Sequence, residues 1–159
     1  MQRVCGGCTA CCKTHGVLEL WKLPGTWCPY CSVGKGCAAY ERRPAECRHF
    51  KCSWLLGMGN EEHRPDRINV VPEVREIGDI AKALWLFELT EGALESLLVK
   101  RWTLNNLTRG TSVMHVSLIR NPRLYLSEGT PPPKNTLVFS PREEEIQVVA
   151  FPEFVRSLI

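Results

Sequence analysis

The apolar residues in the second part of the chain recur with the spacing of a helix face in two places. The first run follows Pro72 and is mostly apolar: it consists of Val74, Ile77, Ala81, Leu84 and Glu88, with Ile80 and Phe87 beside it. The second run consists of Leu94, Leu97, Leu98 and Trp102, with Thr90 before it as a candidate N-cap and Gly110 after it as a candidate end. Because residues three or four apart lie on one side of a helix, both runs predict helices packed on a core.

The rest of the second part has a strand pattern. Short runs rich in Val, Ile, Leu and aromatic residues occupy residues 67–71, 111–119, 124–126, 137–139 and 146–151. Polar or proline-containing segments separate these runs, as expected where short strands meet turns. The predicted fold class is therefore α+β, with two helices followed by short antiparallel strands.

The first third of the chain has a different composition. Residues 1–59 are rich in Gly, Pro and Cys and contain only scattered large apolar side chains. Such a segment cannot bury enough apolar surface to fold alone, whereas a structural zinc contributes roughly 10 kcal/mol or more. We therefore predict a small, loop-rich, cysteine-rich metal-binding module at residues 1–59, packed on an α+β part at residues 60–159.

All nine cysteines lie between Cys5 and Cys52. Nine is an odd number, so disulfides alone would leave one thiol over. The chain has no apolar stretch typical of a signal peptide and no run of roughly 18 apolar residues that would span a membrane. These features predict a soluble, cytoplasmic protein with no membrane partner. Because thiols stay reduced in that compartment, the pattern favours metal binding over disulfides.

The spacing of the cysteines is typical of metal-binding turns. Two residues between cysteines let the chain turn so that both sulfurs reach one ion about 2.3 Å away. Neighbouring side chains point apart in most backbone conformations, so the adjacent Cys11 and Cys12 indicate two metal positions. The predicted ligands are all nine cysteines: Cys5, Cys8, Cys11, Cys12, Cys28, Cys31, Cys37, Cys47 and Cys52.

Zinc is the favoured metal, and iron–sulfur chemistry is the alternative. Tetrahedral zinc takes four ligands, so about two zinc ions would account for eight of the cysteines. Cys5, Cys8 and Cys11 also have the C-x2-C-x2-C spacing of bacterial ferredoxins, which leaves a 4Fe-4S cluster open. His15 and His49 lie beside cysteines and could replace a thiolate. With nine thiols present, a supporting role is the preferred interpretation for both histidines.

The charge of the chain is divided unevenly between its two parts. Residues 1–52 carry eight Lys or Arg against three Glu, whereas the remaining residues carry twelve against fourteen acidic residues. A basic segment can bind nucleic acid through its phosphates. Thiolates around divalent ions also bring net negative charge that a basic surplus would balance. We favour the second interpretation, so a nucleic-acid partner is not the expected one.

The cysteine motifs resemble those of a bacterial family. The C-x2-C-x2-C-C motif at residues 5–12 and the segment from Gly36 to Cys52 are similar to the YkgJ-like proteins, a cysteine-cluster family described as zinc- or iron-chelating. The resemblance covers residues 5–54, with a weaker echo at residues 64–66. It implies metal chelation rather than a particular reaction. By resemblance, the strongest ligand candidates are Cys5, Cys8, Cys11, Cys12, Cys37, Cys47 and Cys52.

The sequence assigns no reaction. It contains no convincing catalytic triad, phosphate-binding loop or paired-carboxylate site, so the prediction leans against an enzyme. The favoured hypothesis is a zinc-binding protein in which the metal is structural and the module supports contact with a protein partner. The alternatives are an iron–sulfur protein with a redox or electron-transfer role and a metal-handling, chelating protein.

Overall fold

The computed structural model describes residues 3–139 and 143–159, and it describes Ala81 by its backbone alone. Five helices are present in this part of the chain: α1 (Cys11–Thr14), α2 (Ala45–His49), α3 (Pro65–Ile68), α4 (Leu97–Leu107) and α5 (Phe151–Arg156). The strands are β1 (Cys31–Ser32), β2 (Gly36–Cys37), β3 (Val70–Ile77), β4 (Ile80–Glu88), β5 (Ser112–Val116), β6 (Arg123–Tyr125), β7 (Val138–Phe139), β8 (Glu144–Glu145) and β9 (Gln147–Val149). The predicted α+β class is confirmed.

The main sheet has five strands in the order β3-β4-β5-β6-β9. Neighbouring strands alternate between antiparallel and parallel pairing. The pairs β3–β4 and β5–β6 are antiparallel, and the pairs β4–β5 and β6–β9 are parallel. The parallel pair β4 and β5 is joined through α4, a crossover connection that parallel neighbours require. Two further sheets are two-stranded, β1 with β2 and β7 with β8.

The helix predicted after Pro72 is wrong, because residues 70–88 form the antiparallel hairpin of β3 and β4. Gly78 makes the turn with φ of +52°. Strand β4 is central, and residues 83–89 are all buried. A strand covered on both faces has a nearly continuous apolar run, in which a helical spacing can be read by chance.

The second predicted helix is confirmed, with a later start. Ser96 is its N-cap, and its hydroxyl accepts a hydrogen bond from the Val99 N–H at 3.4 Å. Thr90 lies in the loop before a short 3-10 turn at residues 93–95. Gly110 follows the helix with φ of +83°, a conformation that glycine adopts without strain.

The main sheet has an apolar cluster on each face. Alternate residues of β4 point to opposite faces, so Trp85 and Phe87 join one cluster while Leu84 and Leu86 join the other. Helix α4 packs on the second face through Val99, Trp102 and Leu107. The first face is contacted by the N-terminal segment through Ala10, Cys8, Phe50 and Cys52. The cysteine-rich segment therefore shares an apolar core with the sheet.

Hydrogen bonds also join the cysteine-rich segment to the sheet. The backbone N–H of Ser53 donates to the Pro72 carbonyl at 2.8 Å, and the Lys13 ammonium donates to the Leu89 carbonyl at 2.7 Å. The predicted division of the chain after residue 59 stays a prediction.

None of the helices described is both long and apolar enough to cross a membrane.

A buried histidine connects α4 to β5. His115 is 6% exposed, its Nε2 atom lies 2.9 Å from the Thr103 hydroxyl, and its ring meets the Tyr125 ring edge-on with centroids 4.7 Å apart. Burial lowers the pKa of His115 to about 3, against a smaller opposing effect of Glu95. The imidazole is therefore neutral near pH 7.

The stability of the fold is expected to fall in acid because of His115. Its pKa is depressed in the folded chain, so between pH 6.5 and 3 the unfolded chain binds a proton that the folded chain does not. Its contribution to stability is complete above the unfolded pKa and falls by about 1.4 kcal/mol per pH unit below it. Urea unfolding at several pH values should show a shallower acid dependence for His115→Gln than for the wild type. His49→Gln, at an exposed site, is the control, and equal slopes for wild type and His115→Gln would contradict this account.

Candidate metal centre

Two tight turns place cysteines in pairs. In each C-x2-C turn the N–H of the second cysteine donates to the carbonyl of the first, at 2.9 Å between Cys8 and Cys5 and at 3.0 Å between Cys31 and Cys28. Gly6 takes a φ of +54° in the first turn, a conformation that is costly for residues with a Cβ. These turns are the ones expected from the spacing, and they bring the paired side chains to one side.

Backbone contacts join the cysteine segments to one another. The Cys28 N–H donates to the Cys12 carbonyl at 3.0 Å, and β1 pairs with β2 so that Cys31 lies opposite Cys37. A Cβ on Gly7 would lie 2.7 Å from the Gly34 carbonyl oxygen, so only glycine fits there without movement. Segments far apart in sequence are therefore held together by backbone geometry.

Six cysteines, which we call the six-cysteine group, gather around α1. The Cys12 thiol hydrogen-bonds with the thiols of Cys11 and Cys31, and Cys47 on α2 lies within electrostatic reach of Cys12, Cys28 and Cys37. The group consists of Cys11, Cys12, Cys28, Cys31, Cys37 and Cys47.

Lys22 lies beside the six-cysteine group and is only 7% exposed. Its ammonium donates to the carbonyls of Lys13 and Leu23, at 3.2 Å each, and to the carbonyl of His15. Burial lowers the pKa of Lys22, and the thiolates of the neighbouring cysteines oppose that change, in the order Cys28, Cys12, Cys47 and Cys11. No carboxylate forms an ion pair with Lys22 in the described part of the chain, so the neighbouring groups that could balance its charge are the cysteine thiols, once they lose their protons.

The other three cysteines form a second group, the three-cysteine group of Cys5, Cys8 and Cys52. Cys5 and Cys8 act on the Cys52 thiol electrostatically. Arg64 donates to the Cys5 carbonyl at 3.0 Å and pairs with Asp66 at 2.9 Å. The weaker sequence echo at residues 64–66 therefore lies directly against this group.

Backbone N–H groups donate to sulfur in the three-cysteine group. Burial raises the pKa of the Cys8 thiol, and the N–H groups of Ala10 and Asp66 oppose that rise. Burial likewise raises the pKa of Cys52, against the N–H groups of Leu55 and Trp54. Such donors favour the thiolate over the thiol and orient it, as they do around metal-bound sulfur.

Several thiols of the six-cysteine group are also held in the neutral form. Burial raises the pKa of Cys31 to about 11 and raises that of Cys47. The pKa of Cys12 is raised first by its hydrogen bond with Cys11 and then by burial. A bound cation would displace these protons, so metal binding here releases protons and weakens as the pH falls.

The structure places the adjacent Cys11 and Cys12 in the six-cysteine group, since α1 begins at Cys11 and the two thiols are in contact. Cys5, Cys8 and Cys52 form the other group. The expectation that Cys11 and Cys12 serve different metal positions stays a prediction. All nine cysteines are free thiols.

The two histidines beside the cysteines are not placed as ligands. His15 uses both ring nitrogens, Nδ1 at 2.8 Å from the Thr14 hydroxyl and Nε2 at 2.9 Å from a Glu73 carboxylate oxygen. His49 lies in the last turn of α2 and is exposed. In residues 3–139 and 143–159, no set of three or more His, Cys, Asp or Glu side chains is already arranged to hold a metal ion.

Comparisons with known proteins add no relative. No protein-family model matches the chain, and neither the curated proteins nor the solved structures contain a match.

Two functional candidates escaped the sequence analysis. One is Lys22, because nothing in the local sequence Leu18–Leu23 predicts that this lysine is buried. Thr9 is the other: its hydroxyl accepts a hydrogen bond from the Gly34 N–H at 3.1 Å and donates to the Cys31 thiol. Thr9 thereby connects the first cysteine motif to the turn that carries Cys31.

Replacing Thr9 by Val should destabilise the module. The substitution preserves shape but removes the acceptor of the Gly34 N–H and the donor to the Cys31 thiol, so we expect a loss of about 0.5–1.5 kcal/mol, the net value of a typical hydrogen bond. Urea unfolding of the reduced protein would measure this loss. Thr108→Val is the matched control, because Thr108 is exposed and its hydroxyl donates to a carbonyl outside the module. Equal stabilities of the two variants would show that the Thr9 hydroxyl does not join these segments.

Proposed function

We propose that this protein binds zinc through cysteine thiolates, with one site in the six-cysteine group and one in the three-cysteine group. The observation that carries the proposal is the buried ammonium of Lys22, whose neighbouring groups that can become anionic are cysteine thiols rather than carboxylates. A buried cation needs nearby negative charge, and thiols provide it only as thiolates. Metal coordination is what keeps several thiols deprotonated in one place.

The arrangement of the cysteines supports two sites. The six-cysteine group has more than the four sulfurs that tetrahedral zinc requires. The three-cysteine group has three sulfurs with N–H donors on Cys8 and Cys52, which leaves a fourth position for another ligand. Zinc–sulfur bonds are about 2.3 Å long, so binding would draw the thiolates inward. The resemblance to the YkgJ-like chelating proteins agrees with this assignment.

The metal would act mainly as a structural element. Residues 11–52 contain only short helices and one pair of two-residue strands, and their large apolar side chains include the exposed Leu18, Trp21 and Leu23. Coordination would replace the missing apolar interior and would hold this exposed loop in position for contact with a partner protein.

A metal-handling role is the second candidate, and it rests on the exposure of Cys5. A three-sulfur site with an accessible ligand exchanges metal more readily than a closed four-sulfur site. An iron–sulfur centre of the ferredoxin type is less well supported. It would use Cys5, Cys8 and Cys11 together, whereas Cys11 contacts Cys12 and lies near Lys22, outside the three-cysteine group.

Elemental analysis of the purified chain is the direct experiment. We expect about two zinc ions per chain, and loss of one ion in Cys52→Ser, because the three-cysteine group has no sulfur to spare; Cys47→Ser leaves five sulfurs in the six-cysteine group and should keep both ions. Ser32→Ala, at an exposed position beside Cys31, is the control and should keep both ions. Brown protein with bound sulfide would show that the cysteines hold an iron–sulfur cluster and not zinc. Metal-free protein with reactive thiols would refute the proposal.

Removing the buried ammonium should weaken metal binding at the six-cysteine group alone. Lys22→Met keeps the length of the side chain and deletes its charge, so we expect roughly 10- to 100-fold lower zinc affinity there, the range seen for groups that support metal ligands. Competition with a chromogenic chelator would measure both sites. Lys35→Met, at an exposed position of the same module, should leave both affinities unchanged. If Lys22→Met and Lys35→Met bind zinc with the same affinity, Lys22 does not support metal binding.

A further inference from the structure

A cavity of about 80 Å³ lies far in sequence from the cysteines, at the carboxyl ends of the parallel strands β4 and β5. The last residue of β4, the loop that leads to α4, and the segment after β5 all contribute to its wall. Sheets with crossover helices commonly bind ligands at this position, because the loops after parallel strands converge there. Its lining includes Glu88, Glu95, His115 and Arg120.

Glu88 places a buried carboxyl group at the cavity. The residue is 4% exposed, and its Oε2 atom accepts hydrogen bonds from the Ser117 hydroxyl and the Leu118 N–H, each at 2.8 Å. Both donors are neutral, and within the described residues no Lys or Arg forms an ion pair with this carboxylate. Nearby Glu95, in contrast, pairs with Lys100 at 3.1 Å and Arg120 at 3.2 Å. The carboxyl group of Glu88 thus has neutral donors and no ion-pair partner among the described residues, and a cationic group in the cavity would complement it.

His115 contributes a second polar side chain to the same wall. Its Nε2 atom is paired with the Thr103 hydroxyl at 2.9 Å. Its Nδ1 atom makes no hydrogen bond with any residue that the structure describes, although His115 is buried. When Nε2 carries the proton and donates to Thr103, Nδ1 is a free acceptor. The cavity thus offers one carboxylate and one imidazole nitrogen to a donor.

We propose that this cavity binds the primary ammonium group of a small ligand. The ammonium would supply the charge that Glu88 lacks and would donate a further hydrogen bond to Nδ1 of His115. A primary ammonium has three donors on a compact head, which suits several acceptors in a small space. A free amine and an α-amino acid share this group, and the guanidinium of Arg120 at the same cavity would favour the amino acid by binding its carboxylate. This site is independent of the proposed metal centre.

Two-dimensional ¹⁵N NMR of the full chain tests the proposal, with ethylammonium chloride and glycine as separate probes. We expect saturable shifts of the Ser117 and Leu118 amide signals with at least one probe, because their donors share the Glu88 carboxylate. Glu88→Gln should weaken this binding roughly tenfold or more, the effect of losing one hydrogen bond to a charged group. Glu128→Gln, at an exposed position, is the matched control and should bind as the wild type does. Tighter binding of glycine than of ethylammonium would identify the amino acid as the preferred source.

A third probe keeps the proposal testable if Glu88→Gln does not fold. Tetramethylammonium has the same charge but no N–H donors and a larger head, so it should leave both amide signals unchanged. The proposal is overturned if neither ethylammonium nor glycine gives a saturable shift, if tetramethylammonium gives the same shift, or if folded Glu88→Gln binds as tightly as the wild type.

Discussion

The burial of one ammonium among thiols is the constraint on which the first third of this protein depends. Lys22 donates to backbone carbonyls and lies near four cysteine thiols, so its charge and the protonation of the six-cysteine group are coupled. Neutral thiols leave the ammonium uncompensated, whereas several thiolates without a cation repel one another. The divalent ion that we propose would satisfy both demands, because it would neutralise part of the thiolate charge and leave a remainder for the lysine.

The main sheet gives this polar module an apolar base. One face packs against α4, and the other receives Ala10 together with Cys8, Phe50 and Cys52. The three-cysteine group therefore lies where the module meets the sheet, while the six-cysteine group lies around α1. This arrangement explains why a segment with few large apolar residues can still be ordered: part of its core is supplied by the strands.

Sequence reasoning succeeded where a local pattern determines the structure. The two C-x2-C turns, the helix that contains Trp102 and the α+β class follow from spacing, capping and periodicity. It failed at residues 73–88, because a strand buried on both faces loses the alternation that identifies strands. It could not assign Cys11 and Cys12 to one group, since that depends on where α1 begins. The burial of Lys22 was equally out of reach, because it arises from a loop folding over distant cysteines.

The packing of the module on Phe87 and its neighbours has a consequence for the life of the chain in a crowded cell. His15 stacks between Phe50 and Phe87, with ring centroids 4.3 and 4.8 Å apart, so the module covers an aromatic surface of the sheet. Whatever opens the module, whether oxidation of its sulfurs or loss of the metal ion that we propose, would uncover that surface. Chaperone recognition and aggregation of this protein would then respond to the chemistry of its cysteines rather than to the intrinsic stability of its strands.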